Sequence, residues 1–351
     1  MNQIWWDRVP NAVSYVQNIV ESLLKESSVL LQYAENIPWR EYWIESIKEA
    51  VVQYNSSKRF EMIEGVENPG EYILREYCKP EKRATYRPTK SYAKFFAQSD
   101  DIVLNERYLW VKVSSKEGLA TWMRFVSEYV KERGKGKDSA VFILEWKSKT
   151  PAPNKKGLQI LSFDDYISEY DRNVFTTLAS SSVREPAFIK SYLAELSAIT
   201  FENDIELCAA CLNEYKAFLD CPNDLICKVL AEQTRCSGEM YTFEKPPEAI
   251  NNGIWKAQIA IVYPLIEEFR EDFVRVHAKP INAELPIQSA YGEMYENPKD
   301  VELGTLVFMA GSKRLIISTE EYKKLDKFRI ARNKLAHLDT LDFSELCELY
   351  R

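Results

Sequence analysis

Residues 140–146, Ala-Val-Phe-Ile-Leu-Glu-Trp, form the most apolar strand-like run in the chain. A strand with one wet face alternates apolar and polar side chains, whereas a near-continuous apolar run suits a strand covered on both faces of a parallel sheet. Parallel neighbours need crossover segments, and the sequence supplies them. Four further runs read as strands: Val29–Tyr33, Phe60–Ile63, Tyr108–Val113 and Leu158–Leu161. Between them apolar residues recur at helical spacing, as in Val13, Val16, Ile19, Val20 and Leu23, or Trp43, Ile44, Ile47 and Val51. Further helices are expected over 91–98, 116–131 and 164–180, with a polar turn at Gly134-Lys-Gly-Lys137. The alternation predicts an α/β domain with a mostly parallel sheet of about five strands and helices on both sides.

The pattern changes after Ser180-Ser-Ser-Val-Arg-Glu-Pro186, where strand signals fade and helical periodicity takes over. The expected division is an α/β domain over 1–185, an all-helical connector over 186–248 and a helical C-terminal domain over 249–351. Lys245-Pro-Pro247 and Asn251-Asn-Gly253 read as the break before the last region. That region should hold a long helix over 254–276, kinked or interrupted at Pro264, and shorter helices over 301–310, 319–338 and 343–350.

Charge narrows the function classes. A net charge of −7 argues against coating nucleic acid through bulk electrostatics. A local exception runs from Lys79 to Lys94, where Lys82, Arg83, Arg87 and Lys90 are interleaved with Tyr86, Tyr92 and Phe95. Two readings stand side by side: a nucleic-acid contact in which cations pair phosphates and rings stack on bases, or a solvated loop leading into a helix capped near Thr89 or Ser91, its aromatics packed inward.

Seven cysteines without an export signal fit reduced thiols better than a disulfide framework. Cys208-Ala-Ala-Cys211 raises a zinc reading, but the pair lies in a helical apolar pattern with no second Cys-x-x-Cys, so helix core is the expectation and no metal is assigned. No window approaches a membrane span, and the N-terminus lacks a cationic segment followed by an apolar stretch; the expected location is cytoplasmic, away from membranes.

The sharpest motif is Arg329-Ile-Ala-Arg332-Asn333-Lys-Leu-Ala-His337. On a helix, Leu325, Phe328, Leu335 and Leu338 mark a buried stripe, while Arg329, Asn333 and His337 follow at four-residue steps along an adjacent face, with Arg332 between the two faces. That arrangement predicts two guanidinium groups, an amide and an imidazole within reach of one ligand. The stretch resembles the signature of HEPN domains, helical bundles that include metal-independent ribonucleases and inert scaffolds. The resemblance implies that Arg332 would hold phosphate oxygens, His337 would move a proton during attack of an RNA 2′-hydroxyl, and Asn333 would orient one of them, in a site completed across a homodimer. It equally implies a scaffold in which the same residues fix one helix against its neighbours. Neither version calls for a cofactor. His277, the other histidine, reads as a solvated surface residue.

The opening helix–strand–loop–helix layout resembles the core of AAA and STAND-type P-loop proteins. A P-loop needs glycines whose N–H groups wrap phosphates, a Lys, and a Ser or Thr for magnesium. The equivalent connection here, Ala34-Glu-Asn-Ile-Pro-Trp-Arg40, has no glycine, no Lys-Ser/Thr pair, a carboxylate and a proline. The strand Tyr108–Val113, where such folds often carry an acidic magnesium residue, ends in Lys112-Val-Ser-Ser without an acid. Glu145, which closes the run from Val141, can pass for that acid, although an apolar strand ending in Glu also arises by chance. Asp164-Asp165 follows a strand and reads as helix caps. The expectation is a degenerate, non-hydrolysing α/β domain. Families built from these pieces work in prokaryotic defence against phage or plasmids, which implies an adaptor or regulatory subunit among protein partners, with Trp5, Trp6 and Trp39 as exposed contacts. A HEPN ribonuclease acting on RNA and a nucleotide-sensing domain are the alternatives.

Overall fold

The structure, a computed structural model, describes residues 1–99, 104–133, 139–202, 204–288, 292 and 294–350. Contacts divide the chain into two units, Met1–Arg172 with Arg235–Glu239, and Asn173–Thr234 with Met240–Arg351. The turn expected at Gly134–Lys137 lies outside the described residues.

The first unit is built on five parallel strands, β1 (Ser28–Tyr33), β2 (Arg59–Glu64), β3 (Arg107–Val113), β4 (Val141–Lys147) and β5 (Leu158–Ser162), in the order β2-β3-β4-β1-β5. All five expected strands are present within two residues of their predicted ends. The central pair explains the apolar run: β1 is buried along its whole length, and Val141–Glu145 of β4 is buried. Side chains alternate between two apolar layers. Leu30, Leu109, Val111, Phe142 and Leu144 meet α4 (Pro69–Tyr77), α6 (Tyr92–Ala97) and α7 (Lys116–Arg133) through Ile73, Phe96, Trp122, Phe125 and Val126. Beyond the opposite sheet face lie α1 (Asn2–Arg8), α2 (Pro10–Leu24), α3 (Arg40–Tyr54) and α8 (Phe163–Tyr166).

That second layer is aromatic. Trp43 stacks on Trp6 and on Tyr15, with centroids 6.1 Å apart in each case, and meets Trp110 of β3 edge-on at 5.1 Å. Trp5 is 0% and Trp6 3% exposed, which corrects their expected role as surface contacts. Helix α1 lay too close to the chain start to show a full period, and its indoles fill the core. Only Trp39 of the three is partly accessible.

Strand signals do fade after the sheet. The second unit holds α10 (Ala187–Phe201), α11 (Ile205–Asn213), α12 (Tyr215–Asp220), α13 (Pro222–Glu232), α14 (Pro247–Val276), α15 (Ala278–Glu284), α16 (Leu303–Gly311), α17 (Thr319–Ala336) and α18 (Phe343–Tyr350), beside the short β6 (Ile287–Gln288) and β7 (Met294–Tyr295); α9 (Glu169–Ser181) carries the division between the units. Two expected breaks do not occur in α14. The helix runs through Pro264 without interruption, and Asn251-Asn-Gly253 lies inside it, because Pro247 occupies the first turn where a missing N–H costs nothing. Gly253 is needed for closeness: a Cβ there would stand 3.2 Å from Ile199 Cγ2 of α10. Cys208 and Cys211 are core residues of α11, at 1% and 0% exposure. Among the described residues no helix is long and apolar enough to cross a membrane.

Candidate functional site

Open parallel sheets offer ligands a crevice beyond the carboxyl ends of their strands, where backbone donors of the following loops converge. In the first unit that position is the connection from β1 to α3. Its chemistry is dominated by Glu145 at the end of β4, which is 1% exposed. Glu145 Oε1 accepts from the Tyr33 hydroxyl at 2.6 Å and from Arg40 Nε at 2.6 Å. Oε2 accepts from Arg40 Nη2 at 2.6 Å and from Trp110 Nε1 at 2.7 Å.

A carboxylate has about four lone-pair sites, and here all four are engaged. Burial by itself would push the Glu145 carboxyl up; the bidentate Arg40, with Tyr33 and Trp110, overrides it and holds the group below the usual carboxylate range. Burial, reinforced by the Glu145 charge, raises the Tyr33 phenol well beyond its ordinary value, so it stays protonated as a donor. Glu145 is therefore held as a carboxylate with its acceptor sites engaged by protein donors.

The connecting loop is occupied in the same way. The Ala34 N–H, the first backbone donor after β1, gives its proton to Asp164 Oδ2 at 2.7 Å. Asp164 thus caps a neighbouring loop rather than its own helix. Asn36 Oδ1 accepts from Lys147 at 2.5 Å, Glu35 pairs with Lys149 at 2.8 Å, and the Pro38 carbonyl accepts from Trp6 Nε1 at 2.9 Å. Trp39 enters α3 in the left-handed region, at φ 47°, which sets Arg40 at the first helical position facing Glu145. Where a phosphate site needs free donors, this chain has supplied its own anions.

The second candidate lies on α17, in the second unit. A capping box starts the helix, with Ser318 and Glu321 exchanging bonds at 3.1 and 2.8 Å. Leu325, Phe328, Ala331 and Leu335 are buried, and Phe328 stacks on Phe269 of α14 at 3.9 Å. The polar face divides. Arg329 turns back to Asp326 on its own helix, at 2.7 and 2.8 Å. Arg332 lines a polar cavity of about 440 Å³ with Tyr263, Glu267, Arg270, Lys299 and Glu302; its contacts to Glu302 Oε1 and Asn333 Oδ1 are both long, at 3.5 Å. His337 sits at the helix C-cap, exposed, and does not line that cavity. Within one chain, then, Arg332 and Asn333 are in contact, and His337 lies outside the cavity that Arg332 lines.

The turn after His337 is held tightly. Leu338 adopts φ 62°, and Asp339 N–H reaches back to the Lys334 carbonyl at 2.9 Å, closing the helix in the manner usually reserved for glycine. Trp255 Nε1 donates to the Leu335 carbonyl at 2.8 Å. Gln258, fully buried on α14, pairs with both the N–H and the C=O of Leu341 at 2.8 Å. None of these partners carries a sequence signal. His277 departs from its expected solvated position: its ring packs on Phe273 at 4.5 Å and faces Glu321 at 3.5 Å.

In the basic segment, the inward-packed reading describes the rings. Ser91 caps α6 by accepting from Lys94 N–H at 3.2 Å, and Tyr86 stacks on Tyr92 at 4.4 Å with Phe95 edge-on at 5.3 Å. Arg83 donates to the Arg75 and Cys78 carbonyls, closing the end of α4, while Arg87 donates to those of Ala84 and Tyr86. Lys90 is exposed and Lys82 partly so.

No family model matches this sequence, and no curated protein does. Solved structures give distant likenesses. Trip13 from Rhizobiales is 13% identical over 67% of this chain and 76% of its own, at a TM-score of 0.33. A chain of the E. coli MS115-1 HORMA:CdnC:Trip13 complex is 8% identical over 64% and 80%, at 0.31. A chain of the Drosophila ORC structure bound to DNA is 10% identical over 96% and 84%, at 0.37. At these scores the likenesses say nothing about activity.

Proposed function

We propose that this chain is a non-hydrolysing adaptor or regulatory subunit of a multiprotein prokaryotic defence assembly, its first unit a degenerate core of the AAA or STAND kind. The observation that carries this reading is the saturation of Glu145 by Arg40, Tyr33 and Trp110 at the strand ends where a nucleotide would bind. An entering triphosphate would meet Glu145 and Asp164, find the Ala34 N–H already engaged, and have to break a bidentate buried ion pair. The sheet with β1 between β4 and β5 supports the resemblance in layout, and the defence setting follows from that resemblance.

The test is thermal unfolding of the whole chain with millimolar ATP and magnesium, or a cyclic nucleotide. No shift is expected; a ligand present at 100 times its Kd would add about 2.7 kcal/mol, so a clear upward shift would overturn the reading in favour of a nucleotide sensor. The ribonuclease alternative keeps one supporting observation, the half-exposed Arg332 beside a polar cavity, with His337 exposed for a site completed by a second copy. Incubation with single-stranded RNA in EDTA decides it. The adaptor predicts intact RNA, whereas cleavage by the wild type that is lost in both Arg332→Ala and His337→Ala would establish the nuclease.

A further inference from the structure

We infer that the segment from Lys79 to Lys94 is a docking surface for the phosphate backbone of duplex nucleic acid, bound by charge and without base stacking. The segment holds six cations, Lys79, Lys82, Arg83, Arg87, Lys90 and Lys94, and a single carboxylate, Glu81, in a chain of net charge −7. Such local inversion is not a by-product of composition. Lys79, Arg83, Arg87 and Lys90 are exposed.

The fold concentrates these charges. A turn of helix at Pro80–Arg83 is followed by two tight turns, in which Tyr86 N–H bonds to the Arg83 carbonyl and Lys90 N–H to that of Arg87. The Tyr86 hydroxyl then donates to the Lys90 carbonyl at 3.2 Å, so the loop folds back on itself and holds Arg87 and Lys90 on one short hairpin. The bonds described for Arg83 and Arg87 go to backbone carbonyls, which orient a guanidinium without neutralising it. A guanidinium fixed on carbonyls and still charged is prepared for a phosphate oxygen.

The aromatics select among polyanions. Single-strand binding modules present ring faces to unpaired bases. Here Tyr86 and Tyr92 stack on each other, Phe95 and Phe96 are buried, and Tyr92 packs so closely on Gly70 that a Cβ there would come within 2.2 Å of its ring. Tyr86 and Tyr92 are partly accessible but are stacked on each other, so what the loop chiefly presents to a partner is charge. Duplex nucleic acid offers the dense phosphate array that charge alone can read, about one charge per 1.7 Å of axis. Repulsion from distant acidic groups is screened beyond roughly 8–10 Å at moderate salt. The near carboxylates are Glu81, Glu128, which accepts from the Ser91 hydroxyl at 2.5 Å, and Glu76, which is paired with Arg75, so the six cations still outnumber them.

The experiment is fluorescence anisotropy of the full chain with a labelled 20-base-pair duplex of arbitrary sequence, repeated with one of its strands alone and with vesicles containing phosphatidylserine. Duplex binding is expected, with a log–log salt slope near −3.6 for about four phosphate contacts, which is about a 150-fold loss of affinity between 50 and 200 mM salt. Lys79→Glu with Lys90→Glu should weaken duplex binding more than tenfold at 50 mM salt. The milder Lys79→Gln with Lys90→Gln, checked for unchanged circular dichroism, should reduce the slope by about 2. Absence of duplex binding, an unchanged affinity in both double variants, a tenfold preference for the single strand, or binding to vesicles but not to duplex would each overturn the proposal.

Discussion

The crevice beyond β1 and the outer face of α17 each set an arginine beside a polar partner, yet they behave in opposite ways. Glu145 is buried and receives four hydrogen bonds of 2.6 to 2.7 Å. Arg332 is half-exposed with two contacts at 3.5 Å, and His337 stands in solvent. A saturated, desolvated group has spent its chemistry on the fold, while a loosely held one keeps it for a partner. The strand-end network of the α/β unit is therefore closed on itself, and α17 is the face with capacity left.

The largest effect should come from breaking the closed network. Arg40→Ala leaves a buried carboxylate unpaired and should cost about 3–5 kcal/mol in urea unfolding followed by tryptophan fluorescence. The sign of its pH dependence sharpens the point. In the wild type the network holds the Glu145 carboxyl low, so its contribution is complete above the ordinary carboxylate range and is lost as pH falls through the lowered native value. In Arg40→Ala, burial is left to push the same carboxyl up, so protonation relieves the variant. The stability gap between the two proteins should narrow from pH 7 towards pH 4; a gap independent of pH would mean that Arg40 acts through packing alone.

Next in size is Gln258→Ala, which leaves the N–H and C=O of Leu341 without their buried partner and should cost about 1–3 kcal/mol by the same measurement. Leu338→Gly should stabilise by about 1 kcal/mol, because glycine accepts φ 62° without a Cβ clash. Its failure to do so would mean that the exposed Leu338 side chain has a packing role. Smallest of all, His337→Ala should move stability by no more than about 0.5 kcal/mol, as expected of an exposed group. A loss above 2 kcal/mol would erase the contrast and place His337 among the structural residues.

Much of the first unit was legible in the sequence. Strands buried on both faces announce themselves by composition, and the missing glycines between Ala34 and Arg40 already spoke against a phosphate loop. The network that occupies this crevice was not legible. Tyr33, Arg40, Trp110 and Glu145 come from four separate elements, and only the parallel register of β1, β3 and β4 brings them together. On α17 the periodicity gave Leu325, Phe328 and Leu335 correctly as buried, but it also put Leu338 in that stripe, which is 72% exposed past the helix end. It placed Arg329, Asn333 and His337 on one face without knowing that Asp326 would take Arg329 or that the helix would stop at Ala336. Trp5 and Trp6 show the same limit in reverse, since an indole in a seven-residue helix has no period to reveal its burial.

Placing β1 inside the sheet, between β4 and β5, has a consequence for how the chain is made. Both of its neighbours, β4 and β5, are encoded late, and Tyr33 waits for a partner 112 residues downstream. At cellular synthesis rates of about 5–20 residues per second, that is roughly 6–20 s during which Ser28–Tyr33 has been made but offers two bare edges and no hydrogen-bonding neighbour. Until Glu145 emerges, the Arg40 guanidinium has only the longer pairing with Glu64, at 3.7 Å. The pairing of β1 therefore has to wait until β4 and β5 have been made, although β1 is the first strand of the chain.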